Sequence, residues 1–497
     1  MGAAEFRELG HRLVDQLAEL LESVPSGCVT HDATPSMVRQ ALGLDGPLPE
    51  QGTAPGALLD DTARRLFAHS LFNAHPRFFG YITASPTPIG ILGDFLSSAL
   101  NANVGAWVLA PAATELERQT VRWIAEFIGY PPDCGGLLVS GGNMANIVGF
   151  LAARAAKAGW DVRSEGLAGG RGRQLRGYCS AEAHTWIQKA ADLSGIGTSS
   201  LRWIPTDDDL RLRVDALREQ VSRDRAQGDI PFVVVGTAGS VSTGAVDPLP
   251  EIAAFCRQED IWFHVDGAYG GFAANISEAP ADLRALREAD SVAVDPHKWL
   301  YAPLEAGCAL VREGEKLRAA FGYQPPYYHF EEQTTNYVDY GPQNSRGFRA
   351  LKVWLALRHA GASGYRRMIG EDMALSHAMA DAIRREPELE LFTECLSITT
   401  FRYLPDGLRN RTGNDEVERQ LDALNRQLLD RLQRGGEVFV SNAVVRNCFV
   451  LRACIVNFHT SRSDVEALAD IVVREGRLLE RELRRGQRGL ASDEAGT

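Results

Sequence analysis

An α/β protein, with a mainly parallel sheet wrapped by helices, is the fold class the sequence predicts, and three observations carry it. From about Ser85 to Ala360, short β-branched runs alternate with helical stretches. Those runs are apolar throughout, as strands are when helices cover both faces of a sheet. With 497 residues, 45% of them hydrophobic, the chain is long enough to bury such a sheet.

The elements follow in order. Leu9, Leu13, Leu17, Leu20 and Leu21 recur at helical spacing, so the chain opens with an amphipathic helix that ends at the Pro25-Ser26-Gly27 breaker. A Gly/Pro-rich connection runs from Leu42 to Gly56. In the alternating region, Phe232 to Val235 reads as a strand, Glu251 to Arg257 as a helix, and Ile261 to Val265 and Ser291 to Val294 as strands. After Gly361 a helix passes through Met373 and Ile383, then strand-like runs cover Leu396 to Tyr403 and Cys448 to Val456, and a last helix starts at Ser463. The division expected is an N-terminal helical segment over 1–85, a large domain over 86–360 and a small α+β domain over 361–497.

Composition excludes several functions. A net charge of −12 repels phosphate backbones and anionic lipid, so nucleic acid and membrane are not expected partners. The eight cysteines stand singly, with no CxxC spacing, and predict reduced thiols in a cytoplasmic protein without a metal site. GxxxxGK[ST], GxGxxG after a strand, GxSxG and HExxH are all missing.

Chemistry is therefore sought where strands end, which is where open α/β sheets bind ligands. Ser140-Gly141-Gly142-Asn143 leads from a strand into a helix, and its glycines let backbone N–H groups approach an anion. Asp266 ends an apolar strand before the small residues Gly267 and Ala268, so its carboxylate is partly desolvated and needs a cationic or N–H partner. Lys298 follows another buried-type strand in Asp295-Pro296-His297-Lys298-Trp299, where a sheltered amine can attack an aldehyde. His184 adds a flat imidazole just after the strand Tyr178 to Ser180. Together they supply what pyridoxal phosphate requires: a Schiff-base lysine, an acidic partner for the ring nitrogen and a phosphate site.

At this point the sequence resembles the group II pyridoxal-phosphate-dependent amino-acid decarboxylases. The resemblance runs over nearly the whole chain, through His75-Pro76-Arg77-Phe78-Phe79-Gly80-Tyr81, Ala110 to Glu117, the glycine cradle, His264-Val265-Asp266-Gly267-Ala268-Tyr269, Asp295 to Trp299, and Phe348-Arg349-Ala350-Leu351-Lys352. It implies a fold-type I enzyme in which Lys298 carries the cofactor, Asp266 pairs the ring nitrogen, and His184 and Ala268 lie on opposite ring faces. Gly141, Gly142, Asn143 and His297 would surround the phosphate, with Ser240 and Asp295 also beside the cofactor. Tyr81, Thr83, Trp107 and Ser345 would meet the substrate, and Tyr327 or Tyr328 would return a proton to the α-carbon. Two departures stand out: Val241 occupies a position usually filled by a hydroxyl residue, and Ile82 one where an aromatic is common.

The resemblance thus implies decarboxylation of an L-amino acid, aromatic first, by a cytoplasmic homodimer with sites at its interface. Glutamate, cysteine-sulfinate or histidine decarboxylation and aldehyde synthesis are alternatives on the same fold. A catalytically silent scaffold is the alternative from another class.

Overall fold

The computed structural model describes the backbone of residues 1–323 and 334–494, and side chains through residue 485. The chain divides into two compact units, one of residues 82–374 and 394–398, the other of residues 1–81, 375–393 and 399–497.

Runs that carry almost no exposed side chain become the strands of a seven-stranded sheet in the first unit. They are β1 (Gly135–Val139), β2 (Leu175–Ser180), β3 (Leu201–Ile204), β4 (Ile230–Thr237), β5 (Trp262–Asp266), β6 (Ser291–Val294) and β7 (Gly307–Val311). Their spatial order is β1-β7-β6-β5-β4-β2-β3. The pairs among β2 to β6 are parallel, and parallel neighbours must be joined by crossovers long enough to hold a helix. Only β7 runs against its neighbours, β1 and β6. In β4, Phe232, Val233, Val234 and Val235 are wholly buried. Each contributes about 1.5–3 kcal/mol by leaving water.

Register decides what lies at one edge of this sheet. Thr237 stands opposite Asp266, Asp266 opposite Ala293, Val294 opposite Cys308, and Val139 opposite Gly307. The carboxyl ends of β1, β4, β5 and β6 and the start of β7 therefore share one rim.

The other unit opens with helices α1 (Ala3–Ser23), α2 (Pro35–Leu42) and α3 (Pro55–His69). It also carries a four-stranded sheet of β8 (Leu389–Cys395), β9 (Ile398–Tyr403), β10 (Ser441–Val445) and β11 (Cys448–Cys454), in the order β10-β11-β9-β8. Phe401, Tyr403, Leu451 and Ile455 join Leu428 and Val472 from the helices Asp415–Arg434 and Arg462–Glu494 in its core. The run expected to be a strand from Leu396 starts instead at Ile398. Leu396 has φ 54° and lies in the turn between β8 and β9. Among the described residues no helix is long and apolar enough to cross a membrane.

Candidate active site

The β6 strand delivers its cargo through a single helical turn, Pro296–Trp299, which Asp295 precedes in extended conformation. Proline at the first helical position fixes φ and has no N–H to leave unsatisfied. Lys298 N–H donates to the Asp295 carbonyl at 2.9 Å, and its Nζ lies 3.0 Å from Asp295 Oδ2. Asp295 is buried, and its other oxygen has no hydrogen-bond partner among the described residues. His297 places Nδ1 2.7 Å from the Ala306 carbonyl oxygen and Nε2 3.7 Å from Asp295 Oδ2. Burial lowers the pKa of this imidazole, and the Asp295 charge works in the opposite sense.

The turn is anchored from behind. Trp299 is fully buried, stacks on Tyr269 with centroids 4.8 Å apart, and donates its indole N–H to Asp372 Oδ2 at 2.9 Å. Tyr301 O–H donates to the same oxygen at 2.7 Å. The Tyr269 hydroxyl in turn lies 2.7 Å from Ser397 Oγ.

The glycine cradle faces this turn. Gly141 has φ 109°, a conformation that side chains other than hydrogen rarely adopt, and it opens helix α6 (Gly142–Lys157). A Cβ on Gly142 would come within 2.5 Å of Asp295 Oδ2 and 2.9 Å of the Ala268 Cβ. Gly142 is thus where the cradle packs directly against Asp295 and Ala268, and only hydrogen fits there. Asn143, in the first turn of α6, is exposed.

Asp266 ends β5 almost fully buried. Trp186 Nε1–H donates to Oδ2 at 2.7 Å and Ala268 N–H to Oδ1 at 3.1 Å. His184, two residues before Trp186, reaches solvent. Partial burial lowers its pKa first, Asp266 then pulling it up and Lys298 pushing it down. Those two charges act on His184 because all three residues lie along the same rim. Ser240 is buried after β4, its Oγ 3.0 Å from Thr243 Oγ1, while Val241 is exposed.

The remaining predicted residues are distributed differently. Trp107 and Ser345 belong to segments that touch: Val104 N–H donates to the Arg346 carbonyl at 2.8 Å, and a Cβ on Gly105 would meet the Asn344 carbonyl. Arg346 ties that pair to the rim. Its buried guanidinium pairs with Glu117 and donates to the Leu138 carbonyl of β1 at 2.6 Å. Thr83 is half-buried in the segment whose Thr87 N–H donates to the Tyr301 carbonyl at 2.9 Å, just beyond Lys298. Tyr81 lies in the other unit with φ 52°, and its carbonyl accepts from Arg452. Tyr327 and Tyr328 lie outside the described residues.

Sequence reasoning missed a buried relay beneath the cradle. Trp262 Nε1–H donates to Ser291 Oγ at 2.8 Å, and Ser291 Oγ lies 2.7 Å from His264 Nδ1. His264 Nε2 lies 2.7 Å from Asn146 Oδ1, and Asn146 Nδ2–H donates to the Gly142 carbonyl at 2.8 Å. Asn146 Nδ2 is committed to the Gly142 carbonyl, so its Oδ1, which can only accept, faces Nε2 and the ring proton sits there; a neutral ring then accepts at Nδ1 from the Ser291 hydroxyl. Burial pushes the His264 pKa down to about 4, in keeping with that neutral ring. The sequence signal was slight: a histidine inside an apolar strand and an asparagine four residues into a helix.

The order of this sheet, together with the solved structures it resembles, places the chain among the fold-type I enzymes of pyridoxal phosphate. Residues 35–403 match the model of the pyridoxal-dependent decarboxylase conserved domain, and the chain belongs to that family. An aromatic-L-amino-acid decarboxylase of Bacillus atrophaeus is 31% identical over 470 residues, 94% of each chain. Among solved structures, Oryza sativa TDC with pyridoxal phosphate and tryptamine superposes with a TM-score of 0.88 at 26% identity, covering 96% of this chain and 99% of that one. Catharanthus roseus tryptophan decarboxylase in complex with L-tryptophan does so with a TM-score of 0.84 at 26% identity, covering 96% and 99%. The protein is accordingly a carboxy-lyase that uses pyridoxal phosphate.

Proposed function

We propose that the protein decarboxylates an aromatic L-amino acid to the amine and CO2, with Lys298 as the residue that carries the cofactor. One observation bears most of the weight: Lys298 stands on a turn whose Asp295 packs directly against the Gly142 cradle and Ala268, with no room for a side chain on Gly142. The residues suit the cofactor. Backbone N–H groups at the start of the 16-residue helix α6 favour a phosphate, the buried Asp266 carboxylate offers an acceptor to a ring nitrogen, and the second Asp295 oxygen is unpartnered among the described residues.

Pyridoxal phosphate, joined through its aldehyde to an amine, supplies an electron sink for the carbon–carbon bond that breaks. The protein's own residues do the rest. Lys298 would give the amine that holds the cofactor. Asp266 holds positive charge at the ring nitrogen. His184 covers one ring face, and the small Ala268 leaves room at the other. Gly141, Gly142, Asn143 and His297 hold the phosphate, with Ser240 and Asp295 beside them. Trp107, Thr83 and Ser345 would orient the substrate, and Tyr327 or Tyr328 would return the proton to the α-carbon.

An aromatic substrate is supported by the names of the relatives above and by the contact between the Trp107 and Ser345 segments. A homodimer is supported by helix α4 (Pro88–Leu100), whose Leu92, Phe95, Leu96 and Leu100 are exposed, followed by exposed Val108 and Leu109. The eight free cysteines favour the cytoplasm.

The test is a panel of the twenty L-amino acids and cysteine sulfinate, with CO2 and amine measured together. Equal yields of both from an aromatic amino acid are expected. CO2 from glutamate, cysteine sulfinate or histidine alone would overturn the aromatic assignment, and aldehyde in place of amine would overturn simple decarboxylation.

A further inference from the structure

We infer that Trp186 is a positioning residue for Asp266, fixing the plane in which that carboxylate meets the cofactor's ring nitrogen; the inference rests on the role proposed above for Asp266. Trp186 is 1% exposed, and its only polar atom, Nε1, lies 2.7 Å from Asp266 Oδ2. Ala268 N–H holds the other oxygen at 3.1 Å. With one donor on each oxygen the carboxylate cannot rotate about its last bond without breaking both bonds. A carboxylate has about four acceptor sites, so two remain for a third donor. Indole N–H has no acceptor role to switch to, unlike a hydroxyl, so its contribution to this contact is fixed in sense.

The indole itself is held rigidly. Phe150 meets it edge-on with centroids 6.2 Å apart, and His264 meets it edge-on at 5.6 Å. His264 is locked by Ser291 and Asn146, and Asn146 is bonded to the Gly142 carbonyl. Gly149 makes room for the imidazole, since a Cβ there would lie 2.6 Å from His264 Cε1. The ring-nitrogen partner and the cradle therefore belong to one buried scaffold, and Trp186 is the member that touches Asp266. Hydrogen bonds to ionised acceptors are about twice as strong as neutral ones, so removing this donor is felt at the charge it serves.

The experiment compares wild type, Asp266→Asn, Trp186→Phe, and a chain carrying benzothienylalanine at position 186, which keeps the shape of indole but has sulfur for N–H. Each is reconstituted with pyridoxal phosphate labelled with 15N in the ring, and the ring resonance, cofactor Kd and thermal midpoint of the apoprotein are read. In the benzothienyl protein the apoprotein still unfolds cooperatively with its midpoint lowered by no more than a few degrees, as the loss of one buried hydrogen bond implies, the 15N resonance moves from the protonated position toward that of Asp266→Asn, and Kd rises about tenfold. Trp186→Phe shows the same direction. A wild-type resonance and Kd in the benzothienyl protein, with Asp266→Asn displaced, would overturn the role of Trp186 alone. An Asp266→Asn resonance identical to wild type would instead remove the Asp266 reading, and this inference with it.

Discussion

Asp266 closes β5 with one N–H donor on each carboxylate oxygen, a setting that fixes a negative charge where a ring nitrogen can meet it. On the pairing proposed above, Asp266→Ala removes that charge and weakens the ring as an electron acceptor. We expect kcat to fall about 100-fold or more in saturating cofactor; stopped-flow assays on the reconstituted variant measure it, and wild-type turnover would exclude the pairing. At this scale the sequence was legible where a reactive residue ends an apolar strand, as Asp266 and Lys298 do. It was not legible for Trp186, because nothing local tells which acceptor, 80 positions away, an indole will reach.

At the scale of elements, the glycine-opened helix and the lysine turn meet without room for one more carbon atom. Gly142→Ala brings a Cβ against Asp295 Oδ2 and Ala268, an overpacking that costs about 1–3 kcal/mol and falls on the cofactor pocket. Cofactor titration should show Kd raised roughly ten- to a hundredfold, while Gly370→Ala, where an added Cβ meets nothing within 4 Å, leaves it unchanged. The relay below carries a pH dependence. His264 titrates near 6.5 when unfolded and near 4 in the fold because burial disfavours its charge. A depressed basic pKa means the neutral ring's stabilisation is complete above pH 6.5 and is lost as pH falls through 4, by about 3 kcal/mol. Histidine NMR should find this ring neutral, with its proton on Nε2, at pH 5; a protonated ring there contradicts the relay. Strands such as β4 were readable because both faces are apolar. The reversed direction of β7 was not, since a strand buried on both faces looks the same in either direction. The edge strand β8, mostly half-buried and carrying Glu390 and Glu394, gave too weak a pattern to be seen.

For the whole molecule, the seven-stranded sheet gathers its chemistry on one rim, while α4 leaves Leu92, Phe95 and Leu96 exposed. Replacing Phe95 and Leu96 by Glu should convert dimer to monomer in sedimentation, with activity lost in parallel; an unchanged sedimentation coefficient would place the interface elsewhere. The central claim is that this rim holds pyridoxal phosphate on Lys298. The most direct measurement is borohydride reduction of the intact holoenzyme followed by peptide mapping. One pyridoxyl group per chain is expected, on the peptide containing Asp295-Pro296-His297-Lys298-Trp299, and none in Lys298→Ala; a pyridoxyl group on any other lysine would rule out Lys298 as the cofactor's residue.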